Sequence, residues 1–264
     1  MPAHDLALLT DAALKAGEIA LRYWKQGAKS WDKGGGHGPV TEADLDVNEM
    51  LADRLLAARP GYGWLSEETE DGAARLAAER VFIIDPIDGT RAFMAGEETF
   101  AHSLAVAEQG RVTAAVVYLP ALDRLYTACN HGPALCDGAA IAASARAGTE
   151  GATLLATQSS MAPALWPGGV PQVRRSFRAS LAYRLCLVAE GRFDGMVTLR
   201  DAWEWDIAAG ALICQRAGAM VPDRAGAQIW FNAARPQAAG VVVAAPGLHE
   251  ALMGGLVPQV ERPA

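Results

Sequence analysis

Residues 83–90 read IIDPIDGT, and they close the apolar run Val81, Phe82, Ile83 and Ile84. A short apolar run bounded by turn residues reads as a buried strand, which would carry Asp85 to the edge of a sheet. Pro86 has no N–H to add to a ladder, so the strand is expected to end at Asp85. Gly89 permits a tight turn, and Thr90 can begin a short helix over RAFMAG whose first amides lack internal partners and favour an anion. An isolated D-x-x-D is accounted for by a helix cap and an ion pair with some arginine. Three further acidic signals lift this one above that: Glu67 and Glu68 in WLSEET at a strand end, Asp44 in VTEAD at a helix start, and Asp206 at the head of WDIAAGALICQRAG. Carboxylates gathered at strand ends and helix starts form a hard-oxygen site suited to magnesium, which draws its remaining ligands from water and substrate phosphate.

Working outward, LALLTDAALKAGEIALRYW from Leu6 has helical spacing, and TEADLDVNEMLADRLLAARP (residues 41–60) opens on Thr41 and acids and is closed by Pro60. The glycine-rich KGGGHGPV between them reads as a loop. WLSEE, RVFIIDP, HSLAVAEQGRVTAAVVYLP and DRLYTAC read as strands, with a hairpin turning at Gln109-Gly110. From about Ala152 the pattern alternates: strand TLLATQ, strand-like SFR, helix LAYRLCLVAEG, strand DGMVTL, the WDIAAG helix, strands AMVP and GVVVAAP, and a last helix near LHEALMGGL. This predicts an α+β first half, residues 1–147, carrying most of the acids, and an α/β second half, residues 148–264, closing the site. There is no internal repeat.

At 264 residues and 51% hydrophobic, the chain can bury a large core. No apolar stretch is long enough for a membrane span, and Asp5 and Asp11 stand where a signal peptide would carry basic residues, so a soluble cytoplasmic protein is expected. Cys129, Cys136, Cys186 and Cys214 contain no CxxC pair and read as reduced core residues. The formal charge of −7 argues against a nucleic-acid polymer as partner, because no Lys/Arg run is present to displace counterions from a phosphate backbone. A small phosphorylated metabolite remains compatible with that charge if cations stand between it and the carboxylates.

SEET, IIDPIDGT and WDIAAGALICQRAG, in this order and within residues 40–243, resemble the inositol monophosphatase family of magnesium-dependent, lithium-sensitive phosphomonoesterases. The resemblance implies a layered αβαβα sandwich of the inositol monophosphatase / fructose-1,6-bisphosphatase type, and two or three Mg²⁺ ions. It implies that Glu67, Asp85 and the carbonyl of Ile87 hold one metal and that Asp85, Asp88 and Asp206 hold another. It further implies phosphate contacts from the Gly89 and Thr90 amides, and catalytic roles for Asp44, Thr90 and Glu67, with the Thr90 hydroxyl and Asp44 orienting and deprotonating the attacking water. Lys33, eleven residues before Asp44, falls in the family's mobile loop, where a solvated lysine is an equal alternative. Family members include dimers, so a homodimer is compatible with the resemblance.

The leaving group is the least legible part. SLAYRLCLVAEGRFD and EWD resemble the family's 3'(2'),5'-bisphosphate nucleotidases, with Arg184 as the substrate-binding residue where those enzymes carry a phosphate-contacting lysine. Two positions depart from that branch: an arginine of the following strand is replaced near Thr198, with Arg200 as a substitute, and Arg-Ser-His becomes QSS at residues 158–160. Inositol specialists resemble one another in a glutamate that would hold ring hydroxyls. Leu199 takes its place here, and Glu204 is a substitute that lies beside the metal ligand rather than a strand earlier. The expected substrate is therefore 3'-phosphoadenosine 5'-phosphate, the alternative inositol 1-phosphate or another sugar or polyol phosphate. A catalytically silent phosphometabolite-binding protein is a third reading, against which the complete set of acids stands. Trp64, Trp203 and Trp205 read as packing residues, Trp203 near the mouth of the site. His102 and His131 read as satisfying backbone carbonyls and His37 as solvated, so no histidine is assigned to catalysis.

Overall fold

In the computed structural model, residues 2–34 and 38–256 are described; His37 and the last eight residues lie outside them. Helix α1 (Pro2–Tyr23) buries Leu9, Ala12, Ala13, Ala16 and Ala20, the three-and-four spacing of one helical face. The glycine-rich segment read as a loop instead joins two short strands, β1 (Ser30–Asp32) and β2 (Pro39–Thr41), paired antiparallel from Ser30↔Thr41 to Asp32↔Pro39. Three-residue strands are too short to leave a period in the sequence. Helix α2 (Glu42–Ala58) starts at a capping box: the Thr41 amide donates to Asp44 Oδ2 at 2.8 Å, and Thr41 Oγ1 accepts from the Asp44 amide at 3.4 Å.

There follow β3 (Gly63–Ser66), β4 (Arg80–Asp88), helix α3 (Thr90–Met94), β5 (Ala101–Glu108), β6 (Arg111–Leu119), β7 (Arg124–Cys129), β8 (Leu135–Cys136) and β9 (Ala139–Ala140). Their seven strands lie side by side in chain order, with only β3 and β4 parallel. The predicted hairpin joins β5 to β6 through Gln109 at φ 50° and Gly110 at φ 78°, both left-handed as a tight two-residue turn requires. The remaining elements are β10 (Ala152–Ala156), β11 (Val173–Ser176), α4 (Leu181–Ala189), β12 (Gly195–Thr198), β13 (Ala202–Trp203), α5 (Glu204–Arg216), β14 (Gln237–Ala238), β15 (Val241–Ala244) and α6 (Pro246–Gly255). A second sheet has the order β11-β10-β12-β15, with β15 antiparallel to β12. AMVP, expected as a strand, forms only isolated bridges, Met220↔Ala244 and Pro222↔Gln228, since Pro222 has no N–H to extend a ladder.

The buried clusters arrange these elements in five layers. Leu9, Val47, Phe82, Leu104 and Val116 join α1 and α2 to one face of the large sheet. Ile83, Ala105, Val117, Leu185 and Ile213 join its other face to α4 and α5, and Met196 and Val243 of the small sheet close over those helices. Leu154, Val197 and Val242 face outward onto Leu248 and Leu252 of α6. The order is helix, sheet, helix, sheet, helix, as the resemblance implied. All four cysteines are free, three of them buried and Cys129 half-buried. No helix among the described residues is long and apolar enough to cross a membrane.

The glycine of WDIAAG is explained by this layering. A Cβ on Gly210 would stand 2.5 Å from Leu185 Cδ1 and 2.6 Å from Leu185 Cβ, so α5 lacks a side chain where α4 crosses it. Gly210→Ala gains up to about 1 kcal/mol of helix propensity but overpacks the crossing at a cost of ~1–3 kcal/mol. The expected result is a melting temperature lowered by a few degrees. An unchanged or raised value in thermal denaturation would mean that Leu185 repacks freely.

Candidate active site

The sequence reading ends the strand at Asp85; the structure carries β4 on through Pro86 to Asp88. The difference is a bulge. Asp85 pairs with Ser103 and Asp88 with Ala101, so three steps along β4 match two along β5. Val81 and Ile83 point toward α4 and α5, while Phe82 and Ile84 point toward α1 and α2. Strict alternation would therefore send Asp85 and Asp88 to opposite faces. The extra residue restores them to one: Ile87 joins the α1/α2 core, and Asp88 turns to the α4 side. Pro86 lies inside the bulge, where its missing N–H breaks no ladder bond, and its carbonyl accepts from Nδ1 of buried His102. Burial drives the His102 pKa down to about 4, so the ring is a neutral backbone partner, as expected for it.

On that face Glu67, just past β3, Asp85, and Asp206 in the first turn of α5 bring carboxylate oxygens within 4.8 Å of one another. Asp85 is 1% exposed and its Oδ1 has no hydrogen-bond partner among the described residues. Burial, then the charges of Glu67, Asp88, Asp206 and Asp44, push the Asp85 carboxyl well above the usual range. Asp206 is raised in the same way, by burial and then by Asp88 and Glu67. Asp88 stands beside this trio rather than within it. Its Oδ2 accepts from Ser180 Oγ at 2.7 Å and the Ala182 amide at 2.6 Å, anchoring the start of α4 and leaving Oδ1 for other work. Carboxylates this close in a low-dielectric interior repel one another unless a cation stands among them. The donors are all hard oxygen, and one of them is a buried orphan; the set fits magnesium and does not suit a soft metal.

Asp44 and Thr90, expected as a pair, are brought together: Thr90 Oγ1 lies 3.3 Å from Asp44 Oδ1 and 3.2 Å from the Ile87 carbonyl, and its single proton serves one of them at a time. The other Asp44 oxygen is fixed by Thr41. Burial, assisted by Glu67 and opposed by the Thr41 bonds and Lys33, lifts the Asp44 carboxyl to about 6. Gly89, at φ 96°, turns the chain between Asp88 and Thr90; a Cβ there would sit 3.4 Å from the Ser180 amide and the Thr99 carbonyl.

Lys33 is not solvated. Its Nζ donates to Glu67 Oε1 at 2.8 Å and Glu68 Oε1 at 2.7 Å, reaching from the β1–β2 hairpin into the acidic cluster. Glu68, pushed up to about 7 mainly by burial, belongs to the site's charge network; the sequence reading counted it among the gathered acids and gave it no separate role. Thr41, Ser180 and the Ala182 amide were also missed. Thr41 was legible as a cap; the grip of Ser180 on a residue 92 positions away was not.

Arg184 is buried in α4, with Nε donating to the Ser180 carbonyl at 3.3 Å and the guanidinium 4.9 Å from the centre of the Phe177 ring. Burial lowers its pKa, Asp88 and Asp206 oppose that, and Arg200 adds to it, so two guanidiniums share the edge of the acidic cluster. Glu204, the remaining candidate for holding inositol hydroxyls, is engaged elsewhere: its buried carboxylate accepts from the Asn232 amide at 2.6 Å and the Ala233 amide at 2.9 Å. Leu199 packs against the apolar cluster under α6. Trp203 and Trp205 stack on each other at 4.6 Å, and Trp64 meets Phe82 edge-on, so all three pack.

Comparison with known proteins agrees with this geometry. The Inositol monophosphatase family profile matches residues 2–262. An inositol-1-monophosphatase of Rhizobium meliloti is 37% identical over 195 residues, 68% of this chain and 70% of that protein. A 3'-phosphoadenosine 5'-phosphate phosphatase of Mycobacterium bovis is 29% identical over 225 residues, 81% of this chain and 80% of that one. Among solved structures, the extragenic suppressor protein suhB of Bartonella henselae superposes with a TM-score of 0.80 at 28% identity, covering 97% of this chain and all of its own. With the acidic trio, the bulged strand that builds it and a match along nearly the whole sequence, this chain belongs to the inositol monophosphatase family and is a phosphatase of small phosphomonoesters.

Proposed function

We propose that the enzyme hydrolyses phosphate monoesters with two or three Mg²⁺ ions held by Glu67, Asp85, Asp88, Asp206 and the Ile87 carbonyl, and that its preferred substrate is 3'-phosphoadenosine 5'-phosphate. The metal reading rests on Asp85, a buried carboxylate with an oxygen unpartnered among the described residues and four other acids around it. Unaided phosphate monoester hydrolysis is slow enough to need rate factors up to ~10²¹, beyond what one acid or base supplies. Bound magnesium contributes neutralisation of the phosphoryl oxygens and a lowered pKa for water. The chain's own part is positional. Thr90 Oγ1, within reach of Asp44, orients the attacking water, and Asp44 Oδ1 receives the proton Thr90 passes on. The amides of Gly89 and Thr90 face the phosphate at the turn after β4. Residues 1–147 supply all these groups except Asp206; residues 148–264 supply that ligand and the contacts to the leaving group.

The substrate reading is carried by Arg184 and Arg200 beside the acidic cluster, together with the withdrawal of Glu204 into the protein. A second phosphate gives Arg184 a charge-assisted contact worth ~1.5–3 kcal/mol. Inositol 1-phosphate, the second reading, is favoured by the higher identity of the Rhizobium relative of that name. Measuring kcat/KM for both substrates decides between them. The expected result is a preference for the bisphosphate that Arg184→Ala reduces about ten- to a hundredfold without a matching loss on inositol 1-phosphate. Equal or better turnover of inositol 1-phosphate by the parent enzyme would select the second reading.

A further inference from the structure

We propose that Phe177 is a stacking platform for the planar base of the substrate's leaving group, a specificity residue that rests on the nucleotide reading above. Phe177 is 46% exposed, and it lies in the short segment between the end of β11 at Ser176 and the α4 cap at Ser180. Single exposed apolar residues are common and signify nothing alone. Two features set this one apart.

The first is its partner. The guanidinium of buried Arg184 lies over the Phe177 ring at 4.9 Å, and Arg184 Nη1 has no hydrogen bond among the described residues. The ring is thus fixed by a cation on one side and left to solvent over much of the rest. Arg178 Nη1 donates to the Phe177 carbonyl at 2.7 Å and to Ser176 Oγ at 3.3 Å, bracing the backbone that carries it. The second feature is its tether to the acidic centre, because Ser180 Oγ donates to Asp88. Phe177 stands three residues before that anchor, so its Cα lies at most ~10–11 Å from the Cα of Ser180. Trp230 is also exposed and also stacked on an arginine, Arg111 at 4.5 Å, but it packs against the Gly110 hairpin at the far end of β5 from Ser103, the partner of Asp85.

A purine on Phe177 would set its two phosphates toward Arg184 and the carboxylate-bound cations, whereas a sugar or polyol phosphate has no flat face to stack. Stacking of one base on one aromatic side chain corresponds to roughly 5- to 100-fold in binding. The test compares 3'-phosphoadenosine 5'-phosphate with ribose 3,5-bisphosphate, which keeps both phosphates and lacks the base, in the Mg²⁺-loaded full chain. The ratio of their kcat/KM values should fall roughly 5- to 100-fold in Phe177→Leu and return in Phe177→Trp. A ratio unchanged in Phe177→Leu, including an equal loss on both substrates through disturbed Arg184, overturns the platform while leaving the nucleotide reading intact. A parent enzyme that prefers inositol 1-phosphate to the base-bearing bisphosphate overturns that reading itself, and the platform with it.

Discussion

Asp85→Asn should lose more than ~100-fold in kcat/KM and yet melt no lower than the parent when both are free of metal. Loss of a group that merely supports a metal ligand costs 10–100-fold, so loss of Asp85, if it is itself a ligand as proposed, should lie beyond that range. Stability moves the other way because Asp85 is buried against Glu67, Asp88 and Asp206. Its carboxyl is raised in the fold, so in metal-free protein its contribution is fully present below the unfolded value near 4 and is lost as pH rises through the raised folded value. Asp44, at about 6, and Glu68, at about 7, add to the same trend. The metal-free parent should therefore weaken from pH 5 toward 8, the Asn variant less steeply, and Mg²⁺ should raise the melting temperature of the parent far more than that of the variant. His102 works against this trend, since its depressed pKa removes stability as pH falls from about 6.5 toward 4, but it is present in both proteins and cancels in their difference. Full turnover of Asp85→Asn in chelator, or equal Mg²⁺ stabilisation of both proteins, would remove Asp85 from the metal centre.

How much of this was legible follows from how each contact is made. The carboxylates were visible because strand ends and helix starts announce themselves locally, through the apolar run before Asp85 and the helical period after Asp206. The bulge was not. Pro86 argued correctly that a ladder bond is missing, but a missing bond ends a strand as readily as it bulges one, and only the paired strand decides. Without the bulge Asp85 and Asp88 would face opposite layers, so the feature that assembles the site was the one a single strand's sequence could not display. The same limit left the role of Lys33 open, since its ammonium reaches acids 34 and 35 residues away. Glu204 shows the reverse error: adjacent in sequence to nothing but Trp203 and Trp205, it was free on paper, and it is held by amides 28 and 29 residues on. Arg184 was found from its resemblance to a lysine, while its seat beneath Phe177 is a property of the loop before α4 and left no trace in spacing.

Thr90→Ala should fold and bind metal like the parent and lose ~10²–10⁴ in kcat, the range associated with a positioned proton-transfer group. Its hydroxyl lies between Asp44 Oδ1 and the Ile87 carbonyl and is not the side-chain cap of α3, whose first position is held by Gly89 without any such bond. Removing it therefore forfeits one shared hydrogen bond, about 0.5–1.5 kcal/mol, which a domain of this size registers as a shift of a few degrees at most. Asp44 keeps its fixed oxygen through Thr41, so the carboxylate stays in place while the group it would direct is gone. Thr90→Ser restores the hydroxyl without the methyl and should recover most of kcat. Turnover of Thr90→Ala equal to the parent, at unchanged Mg²⁺ affinity, would reduce Thr90 to a turn residue and leave Asp44 to act on the water directly. A fall in melting temperature of ten degrees or more would show instead that the hydroxyl holds the strand-to-helix turn together, and that its distance from Asp44 is set by folding rather than by chemistry.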